Sequence, residues 1–464
     1  IAVLADDAGV PDQNPQLYVR LMTDLTDWVS SEEMQSKYPG LKVIIPFCPN
    51  DYMGNGSSEQ FQTLKQLPST VPLVVTGGRI WGEVSSEFTT NFTNNAGRGP
   101  YMWINWPCSD NSKRHLIMGG YTTFLHPGVD PSNIQGIVLN PMQQSEPSKV
   151  AIFGNACYSW NIWTEEEADQ AWEDSFKYVD HETYVETDAS NALKELSKHM
   201  INQNMDDRVT ALQESVVLKD TLNAFKTKLS SGTLTTEDIE TMRAEFQLLA
   251  DASETYREAG NSRIVGQIVY WLDTWDDITA AADLLLNALD AYYVDNNAGL
   301  VPDYYTQAQA KLEQAETHGF WYIDHTEYAE VGVQHIMPFL RTVRDHVATL
   351  AQLSVDPTKV IATPVTNREN PTGSLSNVLD GNESTEVVYK NPNQIFVDDY
   401  IGVTYSRAIE IHDVKFVTGT TANPNDTFTN AVLEYTADGK TWEAVPGVDE
   451  FTGNQAILEA HNLN

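Results

Sequence analysis

Along the first third of the chain, short apolar runs alternate with longer amphipathic stretches. The runs are Ile1–Ala5, Val43–Phe47, Leu73–Thr76, Met102–Trp106 and Ile137–Leu139. Each is short and nearly unbroken, the pattern of a strand buried on both faces. Between them, segments such as Leu17–Val29 and Ser57–Leu67 place apolar residues at helical spacing. Strand and helix in alternation predict parallel strands joined by helical crossovers. Five such strands can be read. A closed barrel of this kind needs eight, which would put three of them upstream of Ile1. An open doubly wound sheet is the alternative, but no Gly-rich phosphate loop follows any of the runs.

The pattern changes near residue 164. Thr164 followed by Glu165-Glu166-Glu167 reads as a helix start, with acids at the positive end of the helix dipole. Thr235 with Asp238 predicts another. Ile239, Met242, Phe246 and Leu249 then recur at helical spacing, as do Ile264, Ile268, Trp271, Trp275 and Ile278. These stripes predict a bundle of about five or six helices over 164–356, with Trp271 and Trp275 in its core. Phe320-Trp321-Tyr322 is either more core or the edge of an extended substrate cleft. From 357 to 464, short alternating runs with Gly, Asn and Asp turns replace the helical period. Val360–Thr363, Ile409–Val417 and Asn430–Tyr435 are the candidate strands.

Composition narrows the function. With 464 residues there is room for two or three domains. Sixty-five Asp and Glu against 28 Lys and Arg give a formal charge of −37, a field that repels nucleic acid and anionic membranes. The three cysteines, Cys48, Cys108 and Cys157, offer neither a disulfide framework nor zinc-ligand spacing. His-Glu-X-X-His spacing is absent, so no metal is expected in the helical region. No apolar run of about 18 residues occurs to span a bilayer. The chain opens in mid-strand without an initiator Met or signal peptide, and reads as a fragment whose address signal lies elsewhere.

Each of the five apolar runs ends in polar or aromatic chemistry. The first gives Asp6-Asp7, then Gly9 and Pro11 to break the strand. The second leads into Cys48-Pro49-Asn50-Asp51-Tyr52, and the third into Thr76-Gly77-Gly78-Arg79. The fourth gives Trp103, Asn105 and Asp110, and the fifth Asn140-Pro141-Met142. Any one of these residues could simply cap a helix or solvate a loop. Together, at the carboxyl ends of parallel strands, they stand where α/β barrels carry their chemistry. A Trp with Asn, Asp and Tyr suits a sugar: the ring face stacks on C–H groups while amides and carboxylates pair with hydroxyls.

Asp6-Asp7, Cys48–Tyr52, Trp103-X-Asn105 with Asp110, Asn140-Pro-Met and Tyr158-Ser-Trp160-Asn161 together resemble glycoside hydrolase family 84. That family contains bacterial β-N-acetylglucosaminidases and the O-GlcNAcases. The resemblance is close over about residues 1–175 and looser in the helices beyond. It implies a (β/α)8 TIM barrel over 1–163, of which the C-terminal five βα units are present, followed by the helical bundle. It also implies a retaining exo-β-N-acetylglucosaminidase in which the sugar's own 2-acetamido oxygen attacks the anomeric carbon and forms an oxazoline. Such neighbouring-group hydrolysis is a recognised departure from the usual two-carboxylate scheme. The family's roles fall on Asp6 to orient the acetamido N–H, and on Asp7 as general acid and then base. Tyr52, Thr76, Trp103, Asn105, Asp110 and Asn140 would bind substrate: Tyr52, Trp103 and Asn105 at the acetamido group, Asp110 and Asn140 at the ring hydroxyls. No catalytic cofactor is implied. The partner is a glycan or glycoprotein with terminal β-GlcNAc, and the implied location is extracellular or at a bacterial cell surface.

One departure stands out. The family often has Trp-Thr-Gly-Pro where this chain has Val75-Thr76-Gly77-Gly78, so Gly78 and Arg79 alter the expected pocket rim. In the third region, Asn377–Thr385 and Tyr435–Trp442, the latter with Asp438 and Gly439, resemble the discoidin-like β-sandwich of carbohydrate-binding module family 32. That resemblance implies a structural Ca²⁺ near Asp380 and Thr385, although Glu386 stands where a Trp is common. Two other readings remain. One is a catalytically silent carbohydrate-binding or adhesive protein, for which Asp6-Asp7 would be superfluous. The other is a hyaluronan-degrading hexosaminidase, which the acidic surface disfavours.

Overall fold

The computed structural model describes residues 2–8, 14–181, 183–205, 209, 212–368, 372–389, 395–419, 427–437 and 441–463. Gly9, Pro11, Asp438 and Gly439 lie outside the described residues. The chain divides into two units. One comprises Ile1–Leu218, Phe246–Thr279 and Leu312–His335, the other Lys219–Glu245, Ala280–Lys311 and Ile336–Asn464.

In the first unit, strands β1 (Val3–Leu4), β2 (Phe47–Cys48), β3 (Val74–Val75), β4 (Tyr101–Ile104) and β5 (Gly136–Leu139) run parallel in sequence order. A parallel bridge from Phe47 to Leu73 joins β2 to β3. The ladders are shorter than the apolar runs. Pro46 has no N–H to give, so the second run enters regular pairing only at Phe47. The core is dense: Phe47, Leu73, Val75, Met102 and Ile104 are fully buried, each worth about 1.5–3 kcal/mol of transfer free energy.

Helices α1 (Pro15–Ser30), α2 (Glu32–Lys37), α3 (Glu59–Leu64), α4 (Ser86–Ala96), α5 (Tyr121–Phe124) and α6 (Lys149–Trp160) alternate with these strands. The start of α1 follows local chemistry. Asn14 caps it by accepting from Gln16 N at 3.0 Å, and Pro15 occupies a position that needs no donor. Beneath the end of β4 lies an aromatic cluster. Trp106 stacks on Phe124 with centroids 5.5 Å apart, and Tyr121 stacks on Trp163 at 5.4 Å. Gly154 on α6 is required there, because a Cβ would meet the Tyr121 ring at 2.5 Å. Tyr158 of the family-like motif is buried and donates to the His126 carbonyl at 2.7 Å, so it braces the fold.

Helices α7 (Glu165–His181), α8 (Asp188–Ser197), α9 (Val216–Ser230), α10 (Thr236–Ala259), α11 (Ser262–Tyr293), α12 (Val301–Ala315) and α13 (Ile336–Val355) fill the middle of the chain, more than the periodicity suggests. Both helix starts inferred from sequence are reciprocal caps. Thr164 N donates to Glu167 at 2.8 Å while Thr164 Oγ1 accepts from Glu167 N at 3.2 Å. Thr235 and Asp238 repeat the exchange at 3.0 and 3.3 Å. Thr235→Ala should lower stability by about 1 kcal/mol, read from urea unfolding; an unchanged midpoint would mean the α10 cap contributes nothing. All nine stripe residues from Ile239 to Ile278 named above are buried, and Trp271 and Trp275 have no exposed surface. Between α12 and α13 an antiparallel hairpin, β6 (Gly319–Tyr322) and β7 (His325–Tyr328), carries Phe320 against Trp271 at 5.8 Å and leaves Trp321 exposed.

In the second unit, Arg243 on α10 clamps α11 through Asp283 and Asp290, both at 2.5 Å. Residues beyond 357 form antiparallel pairs. β8 (Ala362–Thr366) pairs with β9 (Ile401–Tyr405), and β10 (Val414–Val417), β11 (Asn430–Ala431) and β12 (Glu434–Tyr435) pair in nested order. Their partners are β13 (Glu443–Ala444), β14 (Phe451–Thr452) and β15 (Ile457–Ala460). The run Ile409–Val417 enters its ladder only at Val414, and Asn430–Tyr435 divides into two short strands. Asp380 accepts from Asn382 N at 2.8 Å and from Thr385 Oγ1 at 2.6 Å, which closes the turn locally. Among the described residues no group of three or more His, Cys, Asp or Glu could hold a metal ion.

Candidate active site

Asp6, Asp7, Tyr52, Thr76, Asn105 and Asn140 follow the carboxyl ends of parallel strands, while Trp103 lies within β4 and Asp110 in the loop beyond it. Asp6 and Asp7 form a turn directly after β1, Asp6 half-buried and Asp7 exposed. The β1–β2 pairing carries the Cys48–Tyr52 segment alongside them: Ala5 N donates to Cys48 O at 2.9 Å, and Asn50 Nδ2 to the Asp6 carbonyl at 3.2 Å. The electrostatics report the same proximity. Burial, then the charges of Asp7 and Asp6, hold the Tyr52 phenol above its ordinary value. Burial and the same two acids push the Cys48 thiol up to about 12. A thiol so placed stays protonated at neutral pH and is no nucleophile.

A second cluster stands at β4 and β5. Trp103 and Asn105 share one face of the strand because they are two residues apart. Trp103 Nε1 donates to Asn105 Oδ1 at 3.1 Å, and Asn140 Nδ2 donates to the same oxygen at 3.1 Å. Asn105 Nδ2 donates in turn to Ile80 O at 2.7 Å. The amide orientation of Asn105 is thus held from three sides. Asp110 is exposed, and Lys113 Nζ donates to its carbonyl.

The loop after β3 joins the clusters. Thr76 N donates to Tyr52 O at 3.0 Å, and Thr76 Oγ1 donates to Arg79 O at 2.7 Å. At 2% exposure, the Thr76 hydroxyl has a positioning task, tying the Tyr52 loop to the segment that grips Asn105. The departure at Gly78 has a physical basis. Its φ is +92°, which Pro, fixed near −65°, cannot take. Gly82 is equally constrained: a Cβ there would lie 1.9 Å from Thr76 O.

Two residues that hold Arg79, Glu83 directly and His126 through it, have no signal in the sequence. Arg79 Nη2 pairs with Glu83 Oε1 at 2.5 Å, and His126 Nε2 lies 2.9 Å from Glu83 Oε2. Glu83 raises the His126 pKa by accepting its hydrogen bond. His126 is 43 residues from Glu83, and no spacing rule relates them. The arrangement as a whole offers two adjacent carboxylates, a phenol, a fixed pair of amides and an indole, the equipment for acid–base work on a polar, ring-shaped substrate.

Residues 1–198 match the family model described as β-N-acetylglucosaminidase. Among solved structures, the chain is similar to the protein titled CpGH84D, with 28% identity and a TM-score of 0.67, covering 75% of this chain and 56% of that one. CpGH84B follows at 18% identity, TM-score 0.54, covering 74% and 57%. A Thermobaculum terrenum O-GlcNAc hydrolase mutant matches at 16% identity, TM-score 0.55, covering 77% and 73%. These last two speak for the fold alone. The chain spans little more than half the length of CpGH84D. Among the described residues no helix is long and apolar enough to cross a membrane. On the family match and the CpGH84D similarity, residues 1–198 belong to the β-N-acetylglucosaminidase family, glycoside hydrolase family 84.

Proposed function

We propose that the protein is a retaining exo-β-N-acetylglucosaminidase that hydrolyses terminal β-linked GlcNAc from glycoconjugates by substrate-assisted catalysis. The observation that carries this reading is the turn after β1, which sets two adjacent acids within electrostatic reach of Tyr52 and Cys48. Family membership of this segment supports it. Asp6 accepts from the acetamido N–H and turns the acetamido oxygen towards the anomeric carbon. That oxygen attacks, the glycosidic bond breaks, and Asp7 gives its proton to the leaving oxygen. Asp7 then takes a proton from the water that opens the oxazoline, which returns the sugar with its β configuration.

An intramolecular nucleophile has an effective molarity of about 10⁵–10⁸ M when well oriented, so the protein's task is orientation. Tyr52, Trp103 and Asn105 hold the acetamido group, Asp110 and Asn140 the ring hydroxyls, and Thr76 the loop between them. Residues 164–356 act as a supporting bundle. Residues 357–464 act as a discoidin-like sandwich that brings the enzyme to glycans outside the cell or at its surface. The test is proton NMR of the full-length protein with an aryl β-GlcNAc. The β hemiacetal should appear first, and first appearance of the α anomer, or no hydrolysis, overturns the proposal.

A further inference from the structure

Asp110 is exposed and stands in the loop beyond β4, so its carboxylate takes its direction from that loop. We propose that Arg114, gripped by Glu327 and Glu330, is a positioning residue that fixes the loop and so aims the Asp110 carboxylate at the ring hydroxyls of the sugar. This rests on the proposed function, which gives Asp110 that contact. It brings into the site's specificity the hairpin segment 319–330, which lies outside the residues matched by the family model.

Three observations carry it. First, the loop borders open space. A cavity of about 400 Å³ lies between residues 110–115, Gln203, Asn204, Glu327 and Glu330. On that side, contacts across the gap rather than close packing fix the loop's position. Its internal bonds, Ser112 N to Ser109 O at 3.0 Å and His115 N to Ser112 O at 2.9 Å, give it a shape but not a place. Gln203 Nε2 donates to Cys108 O at 3.1 Å and Gln143 N to Ser109 Oγ at 3.3 Å, which anchors only the end next to β4.

Second, residues 113–115 all reach the hairpin segment. Arg114 pairs with Glu327 at 3.4 Å and with Glu330 at 3.1 Å, and His115 Nε2 lies 3.1 Å from Glu330. The Arg114 carbonyl accepts from Trp271 Nε1 and from Glu330 N, each at 2.9 Å. A guanidinium shared by two carboxylates and a carbonyl shared by two donors leave residue 114 little freedom. Lys113 Nζ stands 4.7 Å from the centre of the Tyr322 ring and donates to the Asp110 carbonyl, so the hairpin reaches residue 110 itself. Third, the hairpin is a firm support. β6 and β7 pair along their whole length, and Phe320 packs against the fully buried Trp271 at 5.8 Å. The Arg114 side chain is half exposed, and ion pairs in such a setting add little to overall stability. Their consequence is the placing of the loop.

The test compares aryl β-GlcNAc with its 4-deoxy and 6-deoxy analogues on the full-length protein. Wild type should prefer the parent sugar to at least one analogue by about tenfold or more, the usual worth of a hydrogen bond to a charged group. Arg114→Ala should lower kcat/KM for the parent about tenfold, mainly through KM, and leave that analogue within about twofold, so the preference collapses. Glu330→Gln should act in the same direction, and Arg114→Lys, which keeps a cation for one of the two glutamates, should restore part of the preference. In Asp110→Ala the preference should already be gone, and adding Arg114→Ala should cost less than about twofold more, because the two residues act as one unit. Equal losses on parent and analogue, an unchanged preference in Arg114→Ala, or a fully multiplicative loss in the double variant would overturn the inference and leave the proposed function standing. So would a wild type that cleaves the parent without preferring it to either analogue. Should Arg114→Ala fail to fold, Arg114→Lys and Glu330→Gln are judged by the same criterion. A wild type that cleaves none of the three overturns the proposed function and the inference with it.

Discussion

Asp7→Asn should reduce turnover of a β-GlcNAc with a poor leaving group, such as an alkyl or seryl glycoside, by about 10²–10⁴-fold, the usual worth of a positioned general acid. With a good leaving group such as dinitrophenolate, which departs without a proton, the first step should be nearly unaffected. The remaining loss should then fall on the second step, for which Asp7 is the proposed base. The ratio of the two losses is the informative quantity. Asp7 is exposed, in a turn after β1, so the amide should be tolerated by the fold and the loss assigned to chemistry. Equal turnover of the poor substrate by wild type and variant would exclude Asp7 as the acid.

Asp6→Asn should behave differently. If Asp6 orients and polarises the acetamido group, the variant is impaired in forming the new bond itself, and leaving-group quality cannot compensate. A loss of about 10²–10³-fold is expected on good and poor substrates alike, comparable to removing one preorganised contact to a transition state. The carbonyl of Asp6, which accepts from Asn50 at 3.2 Å, belongs to the backbone and survives the change. The two-stranded β1–β2 register should therefore persist, which circular dichroism and an unchanged unfolding midpoint would confirm. A thiazoline that mimics the cyclised intermediate should bind the variant more weakly than wild type. Equal binding would remove Asp6 from the acetamido site.

Hydrophobic pattern made much of the fold legible. The apolar runs near Val3, Phe47, Val74, Met102 and Val138 are strands in parallel order, because a strand covered by helices on both faces must be apolar throughout. The stripe from Ile264 to Ile278 is buried as its 3.6-residue period requires. Thr164 and Thr235 marked helix starts because a cap is a local bond between residues three apart. Less was legible where pairing partners are distant. The hairpin at Gly319–Tyr328 lies within an aromatic run that reads equally well as core. The run Asn430–Tyr435 divides because its two ends pair with different strands, β14 and β13.

By itself, then, the sequence determined the order of elements, the strand ends near which Asp6, Tyr52, Asn105 and Asn140 stand, and the acidic character of the chain. Those properties follow from local periodicity, local capping and composition. Only the tertiary structure decided which of these residues hold one another. The grip of Ile80 on Asn105, the Arg79–Glu83–His126 network and the cavity that Gln203 and Glu330 share with the Asp110 loop are all made across long sequence separations. Such contacts arise from the way helices and strands pack together in space. That packing depends on the whole arrangement of buried surfaces, and no short-range pattern along the chain encodes it.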